Sequence, residues 1–215
     1  SKLPWSSKFL KECYDAGREK IGWDKRPATP RSLKEEGMLA GYGMGGGVFG
    51  AGRGNAAVKA ILKKDGSLTL QSAVSDMGPG TATTMVKIAE TSMQMPASKI
   101  RFMLGDTDFP PGPTQGGSTT TSTLGNGVSL VCDALKKHLK ELAIANIAAF
   151  KSSAIDDIEV KNEQLLSKKD NTKRISLAEL VSSSGKEQVE IIQESGRAAA
   201  EAQKYAMNSF SAHFV

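Results

Sequence analysis

Two short stretches of this chain carry residue types suited to holding an anion. Residues 75–84 read SDMGPGTATT: two glycines flank a proline, and hydroxyls follow where an apolar-periodic run begins. Residues 113–127 read PTQGGSTTTSTLGNG and repeat the idea. A helix N-terminus leaves about four N–H groups unpaired, and its dipole favours negative charge. Glycines let the backbone close on an anion without side-chain clash, and neighbouring hydroxyls add donors. Taken singly, each stretch also suits plain helix capping. Their placement on either side of one strand lets both helix starts point at a single phosphorylated ligand. Between them lies GDTDFPPGP, where Asp106 and Asp108 read as turn chemistry, with no partner to make them an acid–base couple.

Other residues with chemical potential are sparse. GGGVFG, Gly45 to Gly50, matches G-x-G-x-x-G, but the dinucleotide fingerprint needs a helix directly after it. The following AGRGNAAVKAIL alternates like a strand, so these glycines read as close strand packing. No GK[ST] is present, which removes a Walker-type phosphate loop. Cys13 and Cys132 form no metal spacing; free thiols are the first reading and a disulfide the alternative. His138 and His213 are too few to suggest zinc.

The elements that must position the two loops are legible from periodicity. A helix opens the chain in PWSSKFLKECYDAGREKIGW, capped by Ser6 or Ser7, with Phe9, Leu10, Cys13 and Tyr14 on one face and Gly22 at its end. MLAGYGMGGGVFG is expected as a buried, glycine-rich strand. AAVKAILKKDGSLTLQSAV predicts two strands joined at Asp65-Gly66. A helix follows with Met85, Ile88 and Ala89 on its apolar side, then the strand KIRFMLGDTD. Val128, Val131, Leu135, Leu139 and Leu142 predict a long helix; Gly125 and Gly127 near its start imply tight packing or ligand approach. Beyond Lys151 the chain reads strand (IEVKNEQLL), a turn or strand pair through KDNTK, strand (KRISL), short helix (LAELVSS) and strand (QVEIIQES). GRAAAEAQKYAMN suits helix or surface loop, and SFSAHFV is a final strand expected to lack its partner.

The whole is an α+β chain of layered sheets and helices. Three segments are expected: residues 1–36 as helix and loop, 37–150 as the subdomain bearing the two loops, and 151–215 as a second α+β segment cut at its end. At 215 residues, with 39% apolar and 24% charged residues, a core can form. The net charge of +5 is spread along the chain, which argues against a nucleic-acid partner. No apolar run approaches the ~18 residues of a membrane helix, so no membrane partner is expected.

The order of features strongly resembles a known family. A DG hairpin, then SDMGPGTATTMVKIAE, then IRFMLGDTDFPPGPTQGGSTTTSTLGNGV, is similar to the molybdenum-binding subunit of the xanthine dehydrogenase/aldehyde oxidase family, nearest to bacterial aldehyde oxidases. The likeness spans the chain and is most specific over residues 75–130. It implies a layered sheet-and-helix molybdopterin-binding domain and a hydroxylase that oxidises aldehydes or N-heterocycles with water as oxygen donor. It also implies molybdopterin, in the cytosine dinucleotide form of many bacterial members, and iron–sulfur and FAD subunits as partners beside the remainder of the catalytic subunit. On this likeness Met77, Gly78, Pro79, Gly80 and Thr81 match the first cofactor loop; Gly116, Gly117, Ser118 and Thr119 match the second.

Departures from the pattern sharpen the expectation. Pro79 stands where many members have glutamine, so an amide donor is lost there. The catalytic glutamate in its GVGE-like context and the MRAPG-like arginine segment do not occur, and Glu90 reads as a solvated helix residue. The chain is therefore expected to be a fragment with no catalytic residue of its own, inactive when isolated. The alternatives are a non-enzymatic nucleotide- or phosphate-binding module on the same scaffold and a purely structural interface domain.

Overall fold

The computed structural model describes residues 2–196 and 203–215. In chain order the elements are α1 (Leu10–Ile21), β1 (Lys34–Glu35), β2 (Met38–Leu39), β3 (Met44–Gly50), β4 (Ala56–Lys63), β5 (Leu68–Gln71), α2 (Thr81–Met93), β6 (Ile100–Met103), α3 (Thr120–Asn146), β7 (Ile158–Lys161), β8 (Gln164–Ser167), β9 (Arg174–Ser176), α4 (Leu177–Ser183), β10 (Gln188–Ser195) and β11 (Asn208–Phe214). They form two compact units, Ser1–Gly52 with Ala198–Val215, and Arg53–Arg197.

In the first unit, β11 pairs antiparallel with β3 along its full length, from Asn208 opposite Gly50 to Phe214 opposite Met44. The expected orphan strand thus finds its partner within the chain, because β3 presents a run of small residues against which any strand fits closely. Gly46 lies under the Tyr14 hydroxyl and Gly17 under the Phe214 ring, so α1 settles directly on the pair. Trp23 meets Phe214 edge-on at 5.4 Å, and Trp5 meets Phe210 at 5.2 Å. Two expectations change here. The first helix starts at Leu10, with Phe9 in the cap position and no side-chain cap; Ser6 and Ser7 lie two or three residues before the cap, where Ser6 N–H donates to the Ala206 carbonyl. And β3 is exposed along its length, Val48 at 62%, because a two-stranded ribbon has too few layers to cover it.

The second unit holds the core. A four-stranded sheet runs β10-β4-β5-β6. β4 is antiparallel to both neighbours, while β5 and β6 are parallel and joined through α2. The alternation of β4 and β5 places Val58, Ala60, Leu62, Leu68 and Leu70 on one face, all fully buried with Met85, Ala89, Leu124, Val128, Val131, Leu135 and Leu139 from α2 and α3. Each such leucine contributes about 1.5–3 kcal/mol on burial. Gly127 brings α3 onto the sheet: a Cβ there would lie 3.0 Å from Val58 Cγ2. Gly125 brings α3 onto α2, where a Cβ would lie 2.8 Å from Ile88 Cδ1, so both helix glycines serve packing. The turn at Asp65-Gly66 has Gly66 at φ 82° and the Asp65 carboxylate accepting from Ser67 N–H at 2.8 Å.

The last third differs in one detail. The stretch expected as the single strand IEVKNEQLL is a hairpin, β7 and β8, turning at Asn162-Glu163, both with positive φ. β9 follows after a turn in which Asp170 accepts from Thr172, and α4 opens on a capping box between Ser176 and Glu179. β10 then joins β4, carrying this segment back into the main sheet. Part of GRAAAEAQKYAMN lies outside the described residues.

Candidate functional site

Both loops rise from one base. Past β5 the chain crosses the loop that follows β6. Ala73 N–H donates to Pro110 O at 2.7 Å, Gly105 N–H to Val74 O at 2.8 Å, and Ala57 N–H to Pro111 O at 2.8 Å. The Ser72 side chain, fully buried, donates to Ala57 O at 2.9 Å. The approach is close enough that a Cβ on Gly112 would lie 2.7 Å from Ala73 O. Asp106 accepts from Asp108 N–H at 2.9 Å, the turn role expected of that pair.

From this base the first loop climbs to α2. Asp76 folds it: one carboxylate oxygen accepts from Gly78 N–H and the other from Thr81 N–H, each at 2.9 Å. Gly78 and Gly80 bracket Pro79 with φ of 114° and 79°. Thr81, 2% exposed, begins the helix with Gly80 at its cap. The next two amides, of Ala82 and Thr83, have no acceptor among the described residues. The second loop climbs to α3 through Gly117 and Ser118, both left-handed at φ 61° and 54°. Thr119 caps α3 and is held by its own loop, its Oγ1 donating to Gly116 O at 3.2 Å.

One side chain ties the loops together. Gln115 donates from Nε2 to the carbonyl of Ser75 in the first loop, and its Oε1 accepts from Thr120 Oγ1 at 2.9 Å. The two helix starts thereby share a cavity of about 590 Å³. Of the residues singled out from sequence, Met77, Pro79, Thr81, Gly116, Gly117 and Ser118 line it; Gly78, Gly80 and Thr119 stand behind, shaping the turns. Gln115, Thr120 and Thr121 line it as well and were not expected. Hydroxyls in a TTT run are a signal that names the last two; Gln115 has none, since its partner lies forty positions away.

The lining carries no ionisable side chain. What it offers an anion is N–H groups at two helix starts and hydroxyls of serine and threonine, the donor set of phosphate sites built from backbone. Gly116 opens onto the same space, and a Cβ there would touch nothing within 4 Å. That open volume leaves room for a ligand beside the glycine. Glu90 is not the freely solvated residue expected: half-buried, it accepts from Ala97 N–H at 3.2 Å and fastens the turn before β6.

Comparison with known proteins agrees with this geometry. The family model of the molybdopterin cofactor-binding domain matches residues 16–215. The aldehyde oxidoreductase molybdenum-binding subunit PaoC of Escherichia coli K12 is 27% identical over 135 residues, covering 63% of this chain and 18% of that protein. Aldehyde oxidase 1 of Rattus norvegicus is 26% identical over 153 residues, 67% of this chain and 12% of that one. Among solved structures, the Cu,Mo-CO dehydrogenase in its carbon monoxide reduced state superposes with a TM-score of 0.74 at 18% identity, over 98% of this chain and 28% of that one. Quinoline 2-oxidoreductase from Pseudomonas putida 86 gives 0.69 at 17%, over 96% and 28%. These likenesses establish the layered α+β fold, and the chain spans less than a third of the length of each of these relatives.

Proposed function

The chain belongs to the family of molybdopterin cofactor-binding domains, and from that premise we propose that it is the cofactor-holding part of a molybdenum hydroxylase acting on aldehydes or N-heterocycles. The observation that carries this reading is the single cavity shared by two helix starts and latched by Gln115. When bound, the pterin's dithiolene carries the molybdenum that performs the oxidation, with water as oxygen donor. The residues of this chain bind and orient. The Ser118 and Thr121 hydroxyls in the cavity lining, with the Ala82 and Thr83 N–H groups at the start of α2, would meet the phosphates; Met77 and Pro79 line the same cavity. Gly78, Gly80 and Thr119 set the loop turns that aim those donors.

Two finer points belong to the same proposal. The cofactor is the cytosine dinucleotide form, whose added diphosphate suits a site that supplies two sets of backbone donors. Iron–sulfur and FAD subunits take the electrons, and the rest of the catalytic subunit supplies the GVGE-like glutamate segment and the MRAPG-like arginine segment that do not occur in this sequence. The isolated chain is accordingly inactive.

The test is molybdenum and pterin content of the purified chain, by elemental analysis and by fluorescence of the oxidised pterin, beside titration with cytidine diphosphate. Saturable binding of the nucleotide that is lost on Gly116→Val supports the site. No pterin and no nucleotide binding at millimolar concentration sinks it.

A further inference from the structure

The ribbon of the first unit leaves one ladder edge open. Gly43 and Val215 exchange both backbone hydrogen bonds, at 2.8 and 3.0 Å, and Ala51 N–H donates to Met207 O at 3.0 Å. In an antiparallel pair such exchanges recur at every second residue. In the register of β3 against β11, Gly45, Gly47 and Phe49 therefore turn their N–H and C=O groups toward β11, and Met44, Gly46, Val48 and Gly50 turn theirs outward. None of the outward groups has a backbone partner among the described residues. β3 is exposed throughout and carries no charge, proline or bulge, the devices that keep an open edge from pairing. The outer edge of β11 differs: Trp5 bridges to Ala206 at its start, and the Lys8 ammonium lies 5.9 Å from the Phe210 ring. Of the fourteen large apolar side chains exposed among the described residues, eleven belong to this small unit, a concentration that marks an interaction surface.

We propose that this edge pairs with the same edge of a second copy of the chain, β3 against β3, antiparallel about a two-fold axis at Gly47. That register overlaps all seven residues, and in it the sequence MGGGVFG is complementary to itself. Phe49 falls opposite Gly45 of the second copy, Val48 opposite Gly46, and Met44 opposite Gly50. Each large side chain covers a glycine across the ladder, and an aromatic ring beside a cross-strand glycine is itself stabilising. The outward backbone groups satisfy one another, Met44 with Gly50 and Gly46 with Val48. No like charges meet. A strand of unrelated sequence would satisfy the hydrogen bonds but not this matching of bulk to glycine.

The layers also agree. A lone two-stranded ribbon is marginal in water, and pairing turns it into a four-stranded sheet, β11-β3-β3-β11. Gly46 lies under Tyr14, so Met44 and Val48 share the face on which α1 rests. α1 lies over β11, which sets the two helices on either side of a strip filled by Met44 and Val48 of both copies. The opposite face carries Ser209, Ser211 and His213, polar residues suited to water. The inference does not rest on the cofactor reading, since it uses no loop residue and its test contains no nucleotide.

The experiment is sedimentation equilibrium of the purified chain over a range of micromolar concentrations. The chain is expected at twice its own mass, dissociating on dilution. Val48→Pro removes an outward N–H and none of the bonds to β11, a change that edge strands accept. Val48→Lys keeps that N–H and adds a charge at the edge. Both are expected to raise the dissociation constant by about tenfold or more, and to keep the urea midpoint of the dilute, monomeric wild type. Register is read by the double variant Gly45→Cys, Phe49→Cys under mild oxidation. A Cβ at Gly45 meets nothing within 4 Å in the single chain, and positions 45 and 49 of one strand are too far apart to bond to each other. Peptide mass spectrometry is expected to find position 45 of one copy linked to position 49 of the other. A monomer mass at every concentration, a dimer unaffected by both Val48 variants, or cross-links joining 45 to 45 overturns the proposal.

Discussion

Gln115 donates its side-chain N–H to the Ser75 carbonyl, joining two loops that follow the parallel strands β5 and β6. Its other amide atom accepts from Thr120, the first residue of α3. Gln115 thereby ties the start of α3 to the first loop, above the backbone bonds at their common base. Asp76 performs the inner part of the same task, holding Gly78 and Thr81 so that the first loop presents a fixed edge to Gln115.

Gln115→Ala removes both bonds. Hydrogen bonds of this kind contribute about 0.5–1.5 kcal/mol each, so roughly 1–3 kcal/mol of loop ordering is lost. Because the loops sit outside the main core, the loss appears in ligand binding. Calorimetric titration with cytidine diphosphate is expected to show affinity down by about five- to 150-fold, with the thermal midpoint little changed. Gln115→Glu keeps the acceptor for Thr120 but sets a carboxylate against the Ser75 carbonyl, and is expected to bind worse than alanine.

Adjacent glycines of the second loop should respond differently. Gly117 has φ 61°, a conformation that costs an ordinary L residue about 1–2 kcal/mol. Gly116 carries no such requirement, and its Cβ position is open. Gly117→Ala is expected to lower stability by about that amount, and Gly116→Ala to leave it within about 0.5 kcal/mol. Both glycines line the cavity, so a methyl at either position is expected to weaken nucleotide binding, and at Gly116 it does so without the loss of stability. Urea unfolding and nucleotide titration of both variants check the pair.

How far the sequence carries is visible in these residues. The hairpin at Asp65-Gly66, the α3 stripe from Val128 to Leu139 and the two glycine–hydroxyl loops follow from rules that act within a few residues. The pairing of β11 with β3 was not, because nothing local distinguishes a strand whose partner lies far back in the chain from one with no partner. The N-terminal cap failed because the helix begins only at Leu10, so the cap position falls on Phe9 and not on Ser6 or Ser7. Gln115, Asp76 and Gly112 are polar or small loop residues of ordinary type. Their roles arise only once the fold has brought residues 72–76 beside 105–115.

Gly112 bears on the base from which both loops rise. A Cβ there would meet the backbone oxygen of Ala73 at 2.7 Å, and backbone held by the Ala73–Pro110 hydrogen bond cannot move aside cheaply. Gly112→Ala is expected to destabilise the chain by about 1–3 kcal/mol, in the range of other overpacked sites. It should also weaken nucleotide binding, although it does not line the loop cavity. A variant that keeps full stability in urea would show that the two segments are less firmly joined than their hydrogen bonds indicate.

Cys132 supplies a prediction in pH. It is buried in the core among the α3 residues, and burial pushes its thiol from 9.0 up to about 11, partly offset by a hydrogen bond with Ser92. The folded-state value is raised, so the stabilising difference is complete below the unfolded value and is lost as pH climbs through the folded one. The unfolded chain gives up this proton first, near pH 9, and unfolding grows easier between pH 9 and pH 11. A gap of this size corresponds to roughly 2–3 kcal/mol across that window. Cys132→Ala leaves a small cavity and is less stable at pH 7, yet its stability should fall less steeply over the same window. Urea midpoints of the two proteins at pH 8, 9, 10 and 11 make the comparison, with the lysines and tyrosines common to both cancelling. At pH 8 iodoacetamide should modify the half-buried Cys13 and spare Cys132 until the chain unfolds. Parallel slopes, or early alkylation of Cys132, would mean that water reaches the core side of α3.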